Sequence, residues 1–333
     1  MAGSLRRVLS AAAVLAVPLL ALAGCSAGDG QAAAQPAASS HPSAGAQGRA
    51  VSVVDGTGAK VSLSRPATRV VALDPSSIEV LHDLGVPHIA YDSSEPLFVK
   101  SLFGRTTGGG LTQIGGTWSK PDVEGIIAFR PDLVVGDAYP HAEIKPALKG
   151  VAPMYLVTRS GGYRQAMKDF RNLGILAGRQ AVADKDVASF TADLARARGA
   201  SPDDQTSLII WGQSASSFQV PTVDDPSASV LAQVSKYPWG GSGAQGMSLS
   251  LEDILKVNPD VIFVESLARL ANPHAPSLSS QMAADPLWRQ LKAVKDHRVY
   301  DVDPDVWHDD RGGLGLKEIL DQAMPLLYPH TKR

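Results

Sequence analysis

DVEGIIAFRPDLVV, running from Asp122 to Val135, and SLEDILKVNPDVIF, from Ser250 to Phe263, are two versions of one pattern. Glu124 aligns with Glu252, Ile126 with Ile254, Pro131 with Pro259 and Asp132 with Asp260. The offset is constant, since 252 − 124 and 259 − 131 both give 128. In each copy a polar residue, Asp122 or Ser250, can cap a short helix through its side-chain oxygen. An apolar stripe follows, a proline stops the helix, and a β-rich run begins. A repeat of 128 residues is far too long for a solenoid unit and predicts two similar lobes.

The flanking sequence fits that reading. RVVALDP (69–75) reads as a buried strand entering a helix over SSIEVLHDLG, with Ser76 and Glu79 at capping-box spacing and Gly85 placed to end it. HIAYD (88–92), PMYLV (153–157), SLIIWG (207–212) and RVYDVD (298–303) are further strand candidates. Short apolar runs alternating with helices predict an α/β fold of two similar lobes with mostly parallel sheets. Residues 178–200 hold no proline, and Val182, Val187, Phe190 and Leu194 form a loose helical stripe. This predicts one inter-lobe helix of about 16–18 residues, roughly 25 Å long. A single helix is a stiffer hinge than two or three crossing strands, and the ligand cleft is expected between the lobes.

Before the repeat, Arg6 and Arg7 precede an apolar run from Val8 to Ala23, the size of a signal h-region. The run leads to Cys25, the one cysteine of the chain. Leu22-Ala23-Gly24-Cys25 resembles the bacterial lipobox, in which the signal is cut before the cysteine and the thiol receives a diacylglycerol. Residues 26–50 are Ala, Gly, Ser, Gln and Pro with almost no charge, the composition of a flexible tether. The expected layout is a signal peptide (1–24), a lipidated Cys25 with its tether (25–50), an N-terminal lobe (51–177), the helix (178–200) and a C-terminal lobe (201–333). Such a protein would be exported and held on the outer face of the cell membrane by its lipid alone. Sec and twin-arginine export both stay open.

Net charge is −2 with histidine neutral, and the absence of a long basic run argues against a nucleic-acid partner. The sequence holds no Gly-x-Ser-x-Gly elbow, Walker loop or metalloprotease helix motif, so no catalytic residue is assigned. The eight histidines are scattered, at 41, 82, 88, 141, 274, 297, 308 and 330, which argues against direct capture of a metal ion.

In order along the chain, RVVALDPSSIEVLHDLGV, GGTWSKPDVEGIIAFRPDLVVGD, NLGILAGR, LSLEDILKVNPDVIFV and DPLWRQLKAVKDHRVYDVDPDVWHDDRGG resemble the iron-siderophore substrate-binding proteins of ABC importers, in the class with one inter-lobe helix. The resemblance covers nearly all of 65–328. It implies a monomer that captures a ferric siderophore, needs no cofactor, and delivers its cargo to a permease and its ATPase. It also implies that Glu124 and Glu252, one per lobe, dock the protein onto the permease. A hydroxamate chelate is favoured over catecholate or carboxylate types. Cobalamin or haem is the rival ligand on the same fold; a metal-ion binder or an enzyme ranks behind.

Ligands of open α/β folds sit beyond the carboxyl ends of the strands. The candidate contacts there are Trp118 in a Gly-flanked loop, Tyr139 after strand 132–136, Trp239 in the glycine-rich YPWGGSGAQG, and Trp307 with His308 and Arg311 in DPDVWHDDRGG. Trp211 and Arg269, at strand ends, complete the set. Aromatic faces would cover the apolar skirt of a chelate, and arginine would reach its oxygens in fork geometry. The competing role for each tryptophan is core packing, and for His308 and Arg311 a solvated turn.

Overall fold

The computed structural model describes residues 49–240, 246–309 and 312–329, all within one compact unit. The expected signal peptide, Cys25, the expected tether through Gly48, and Arg311 lie outside the described residues.

The chain opens with a hairpin of β1 (Val51–Val54) and β2 (Lys60–Leu63). It continues through β3 (Arg69–Ala72), α1 (Pro75–Asp83), β4 (His88–Tyr91), α2 (Pro96–Phe103) and β5 (Leu111–Gln113). The small pair β6 (Gly116–Thr117) and β7 (Lys120–Pro121) leads into α3 (Val123–Phe129), β8 (Leu133–Asp137), the short α4 (Ala138–His141) and β9 (Met154–Val157). Strands pair in the order β5-β4-β3-β8-β9, all parallel. Helices α5 (Gly162–Leu176) and α6 (Gln180–Ala200) follow. The second sheet, β11-β10-β12-β13, is built from β10 (Ser207–Ser214), β11 (Ser217–Gln219), β12 (Val261–Ser266) and β13 (Val299–Val302). Only its β10–β11 pair is antiparallel. Helices α7 (Pro226–Leu231), α8 (Leu251–Val257), α9 (Ala268–Ala271), α10 (Leu278–Met282) and α11 (Lys292–Lys295) connect these strands, and α12 (Leu314–Leu327) ends the fold.

The repeat is realised at atomic level. Helices α3 and α8 both end on a non-glycine residue in the left-handed region, Arg130 at φ 52° and Asn258 at φ 53°. The proline that follows opens each strand, and the next residue, Asp132 or Asp260, ties down a neighbouring strand. Asp132 accepts from the N–H groups of Thr68 and Arg69 at the start of β3, and Asp260 from that of Thr206 before β10. Those hydrogen bonds, with Arg65 and Lys292 as the nearest cations, hold both carboxyls below the ordinary range despite partial burial.

Three local expectations need correction. Ser250 caps α8 and shares a capping box with Asp253, but Asp122 makes no side-chain cap on α3. Helix α1 is capped by Asp74, whose carboxylate accepts from the Ser77 N–H at 3.0 Å, with Pro75 in the first turn. Ser76 and Glu79 instead reach across to the other lobe. The Ser76 hydroxyl donates to Asp309 O at 2.8 Å, and the buried Glu79 accepts from the N–H groups of Gly313 and Leu314 at the start of α12. Finally, α6 is a 21-residue helix, longer than expected at about 31 Å. Its buried stripe is Ala183, Val187, Phe190 and Leu194, with Val182 exposed.

Helix α6 does not stand alone at the junction, because α5 and α12 pack against it and both also contact α7. The larger hydrophobic cluster runs unbroken from Val70 and Ala72 through Phe170 and Phe190 to Ile262 and Leu320. A second cluster, holding Val71, Leu73, Ile126 and Phe129, fills the opposite face of the first sheet. Alternate residues of β3 thus serve both faces, as period-2 geometry requires.

Candidate functional site

A cavity of ≈ 320 Å³ opens between the two lobes at the carboxyl ends of the parallel strands. The first lobe contributes Glu95, Trp118 and Arg159; the second contributes Gln213, His308 and Asp309. A neighbouring chamber of ≈ 660 Å³ shares Leu97, Leu270 and Asp305 with it and reaches Lys100 and Arg269.

In the first lobe everything turns on Asp137, the last residue of β8. Its buried carboxylate accepts from Arg159 Nη2 at 3.0 Å and from the Trp118 indole Nε1 at 3.0 Å. The Arg159 guanidinium lies 5.9 Å from the Trp118 ring centroid, within cation–π range. Its pKa is raised: burial works against the charge, but Asp137 and then Asp74 and Asp309 outweigh that. Asp74, Asp137 and Arg159 together line a further small cavity of ≈ 50 Å³.

The second lobe repeats the device. Glu265 stands at the matching place on β12, since 265 − 137 is again 128. Its buried carboxylate contacts His308 Nδ1 at 3.0 Å. The His308 ring lies 5.0 Å from Trp211. Each lobe therefore sets a buried acid beneath a basic group on the cleft wall.

Acids on the wall resist ionisation. Glu95 is pushed up to about 8, first by burial and then by the charges of Asp309, Asp92 and Asp74. Asp305 is pushed up to about 6 by burial and by Asp303. Asp74 is raised to about 7 by burial and by Asp137. Among the described residues no group of three or more His, Cys, Asp and Glu side chains could hold a metal ion, and no helix is long and apolar enough to cross a membrane.

The eight candidate contacts separate clearly. Trp118 and His308 line the cavity, and Arg269 lines the adjoining chamber. Trp211 backs His308. Tyr139 is 68 % exposed and lies off the cavity wall. Trp239 and Trp307 are core residues, contrary to expectation. Trp239 is 4 % exposed and its Nε1 donates to Ser207 O at 3.0 Å. Trp307 is fully buried, stacks on Phe263 at 4.8 Å and donates to Gln322 Oε1 at 2.7 Å. Each indole N–H finds its partner inside the fold, which leaves neither ring for a ligand. Arg311 lies outside the described residues. Glu124 and Glu252 are exposed in the first turns of α3 and α8.

Arg159, Glu95 and Gln213 are wall residues that sequence reading missed. Arg159 follows β9 by two residues and Gln213 lies near the end of β10, so the strand-end rule alone could have found them.

The sequence profile described as periplasmic binding protein matches residues 70–306. Among curated proteins, the chain is similar to the Fe(3+)-citrate-binding protein YfmC of Bacillus subtilis (strain 168), at 28 % identity over 256 residues covering 76 % of this chain and 78 % of that one. It is also similar to the Fe(3+) dicitrate-binding periplasmic protein FecB of Escherichia coli (strain K12), at 26 % identity over 64 % of this chain and 69 % of that one. Among solved structures, the siderophore-binding protein BauB matches with a TM-score of 0.69 at 20 % identity, covering 84 % of this chain and 99 % of that one. FeuA of Bacillus subtilis, complexed with ferri-bacillibactin, matches with a TM-score of 0.67 at 18 % identity over 84 % and 99 % of the two chains.

Proposed function

The chain belongs to the periplasmic binding protein family, and from that premise we propose that it captures a ferric siderophore of the hydroxamate type in the inter-lobe cavity and hands it to an ABC importer. The observation that carries the reading is the charge on the wall. Arg159 and His308, the basic groups there, each sit on a buried carboxylate, while Glu95, Asp305 and Asp309 add acidic groups. Asp310 and Arg311, outside the described residues, carry opposite formal charges. A tris-catecholate or dicitrate complex of Fe(III) is strongly anionic, and both basic groups described on this wall already have a carboxylate partner, so little positive charge is left to balance it. Three hydroxamates neutralise Fe(III), and the resulting chelate presents an apolar skirt suited to the Trp118 ring. The siderophore completes the iron coordination sphere, so the protein supplies no metal ligand.

In this reading Glu124 and Glu252 dock the two lobes onto the permease, and the lipid on Cys25 keeps the protein at the membrane. The ferric citrate in the names of YfmC and FecB favours a second reading, a ferric citrate complex. Tryptophan fluorescence titration of the purified protein separates the two. Quenching by a ferric trishydroxamate at lower concentration than by ferric citrate, a ferric tris-catecholate, haem or cobalamin supports the proposal. Tighter binding of any of the other four overturns it.

A further inference from the structure

His141 is fully buried, has no place on the cavity wall, and yet is tied to both residues that hold the first-lobe wall together. Its Nδ1 lies 2.8 Å from the Asp137 backbone nitrogen and accepts that N–H. This fixes the tautomer: Nε2 carries the proton and donates to the Trp118 carbonyl oxygen at 2.6 Å. Burial, the largest influence, keeps the ring below the ordinary histidine value despite the Trp118 carbonyl and the charges of Asp137 and Asp92. Trp118 is thus held at three points: its carbonyl by His141, its indole N–H by Asp137, and its backbone N–H by the Ser94 hydroxyl at 2.9 Å. The chain makes room for the imidazole at Gly136, where a Cβ would stand 2.8 Å from His141 Nδ1.

We propose that Asp137 and His141 are positioning residues, which together orient the Trp118 indole and the Arg159 guanidinium to receive the chelate. This rests on the proposed reading of the cleft. Neither residue touches the ligand. Asp137 joins ring and guanidinium through one carboxylate, and His141 locks the strand end that carries Asp137 to the loop that carries Trp118. The wall then holds its shape in the empty protein, so little ordering cost falls on binding.

The test uses the mature protein labelled with ¹⁵N-tryptophan, with the Trp118 indole resonance assigned by Trp118→Phe, and a ferric trishydroxamate as probe. In His141→Asn the side chain can still accept at the Nδ1 position but cannot reach the Trp118 carbonyl. The Trp118 indole resonance should shift and exchange faster, the other four indoles should stay in place, and affinity should fall about tenfold. His141→Gln, whose amide reaches the Nε2 position, should recover most of that loss. Gly136→Ala pushes the ring without removing a hydrogen-bonding group and should give the same signature as His141→Asn. An unmoved Trp118 resonance in both His141→Asn and Gly136→Ala overturns the proposal. So does an affinity loss that follows melting temperature alone and is not recovered by glutamine. If the wild-type protein takes up no ferric chelate, the ligand reading falls, and the indole resonance alone decides the positioning.

Discussion

The two lobes share a backbone repeat but differ in what the indole N–H of a loop tryptophan is used for. Trp118 of the first lobe turns its indole N–H to Asp137 on the cleft wall, whereas Trp239 and Trp307 of the second turn theirs to Ser207 O and Gln322 inside the fold. The paired acids differ too: Asp137 holds an arginine, and Glu265 a histidine. A tryptophan's place in a loop therefore says little about its task. The task is set by where the indole N–H finds an acceptor.

The largest effect that could break this contrast is on stability. Trp307→Ala removes a fully buried ring stacked on Phe263, and urea denaturation should show a loss of about 3–5 kcal/mol. A near-neutral variant would show that the ring is not a core residue. Trp118→Ala should do the reverse. Stability should change little, while fluorescence titration with a ferric trishydroxamate should show a loss of about 1–3 kcal/mol in affinity. Equal losses of stability in both variants would erase the distinction between the lobes.

A third expectation concerns pH and falls mainly on the first lobe, where Asp74 and Glu95 lie. Their carboxyls hold a proton up to about 7 and about 8 in the folded protein, against 3.8 and 4.5 ordinarily. The folded state binds more protons than the unfolded chain across that range. Their stabilisation is complete below pH 4 and is lost as pH rises towards 8. His141, lowered from 6.5, acts in the opposite sense only below that value. Between pH 6.5 and 8 the melting temperature should therefore fall as pH rises, and Glu95→Gln should flatten the slope. A melting temperature that rises across this window would contradict the buried acids.

The smallest effect on the folded protein is expected where the lobes match best. Glu124→Ala combined with Glu252→Ala should change stability by less than about 1 kcal/mol at each site, the scale of a carboxylate in a first helical turn. Chelate affinity should stay the same, and uptake in cells should stop. Normal uptake by the double variant would leave the glutamates as helix-end charges and no more.

The architecture was legible because the repeat carries physical constraints that survive in local sequence. Pro131 and Pro259 end helices, Asp132 and Asp260 tie strand starts, and apolar runs mark buried parallel strands. The wall was legible only in part. Trp118 could be chosen because it stands in a tight loop beside a strand end. Trp239 and Trp307 looked equivalent, since the acceptors that claim them, Ser207 O and Gln322, lie 32 and 15 residues away. Glu79 was misread for the same reason, because capping-box spacing is local and its true partners are on the other lobe.

That contact ties together two stretches far apart in the chain. The Glu79 carboxylate takes N–H groups 234 and 235 positions further along the chain, where Gly312 and Gly313 lie close enough that a Cβ would strike Val80 and Phe170. Closing a loop of that length costs more chain entropy than a local cap would, though the cost grows only slowly with length. The Glu79 contact works beside other ties between the lobes, the Gly162 N–H to Asp224 O and the Tyr163 N–H to the Ser229 hydroxyl. A chain whose final helix is misplaced would lose the Glu79 tie, while the strand ladders of both sheets, which α12 does not join, keep their hydrogen bonds.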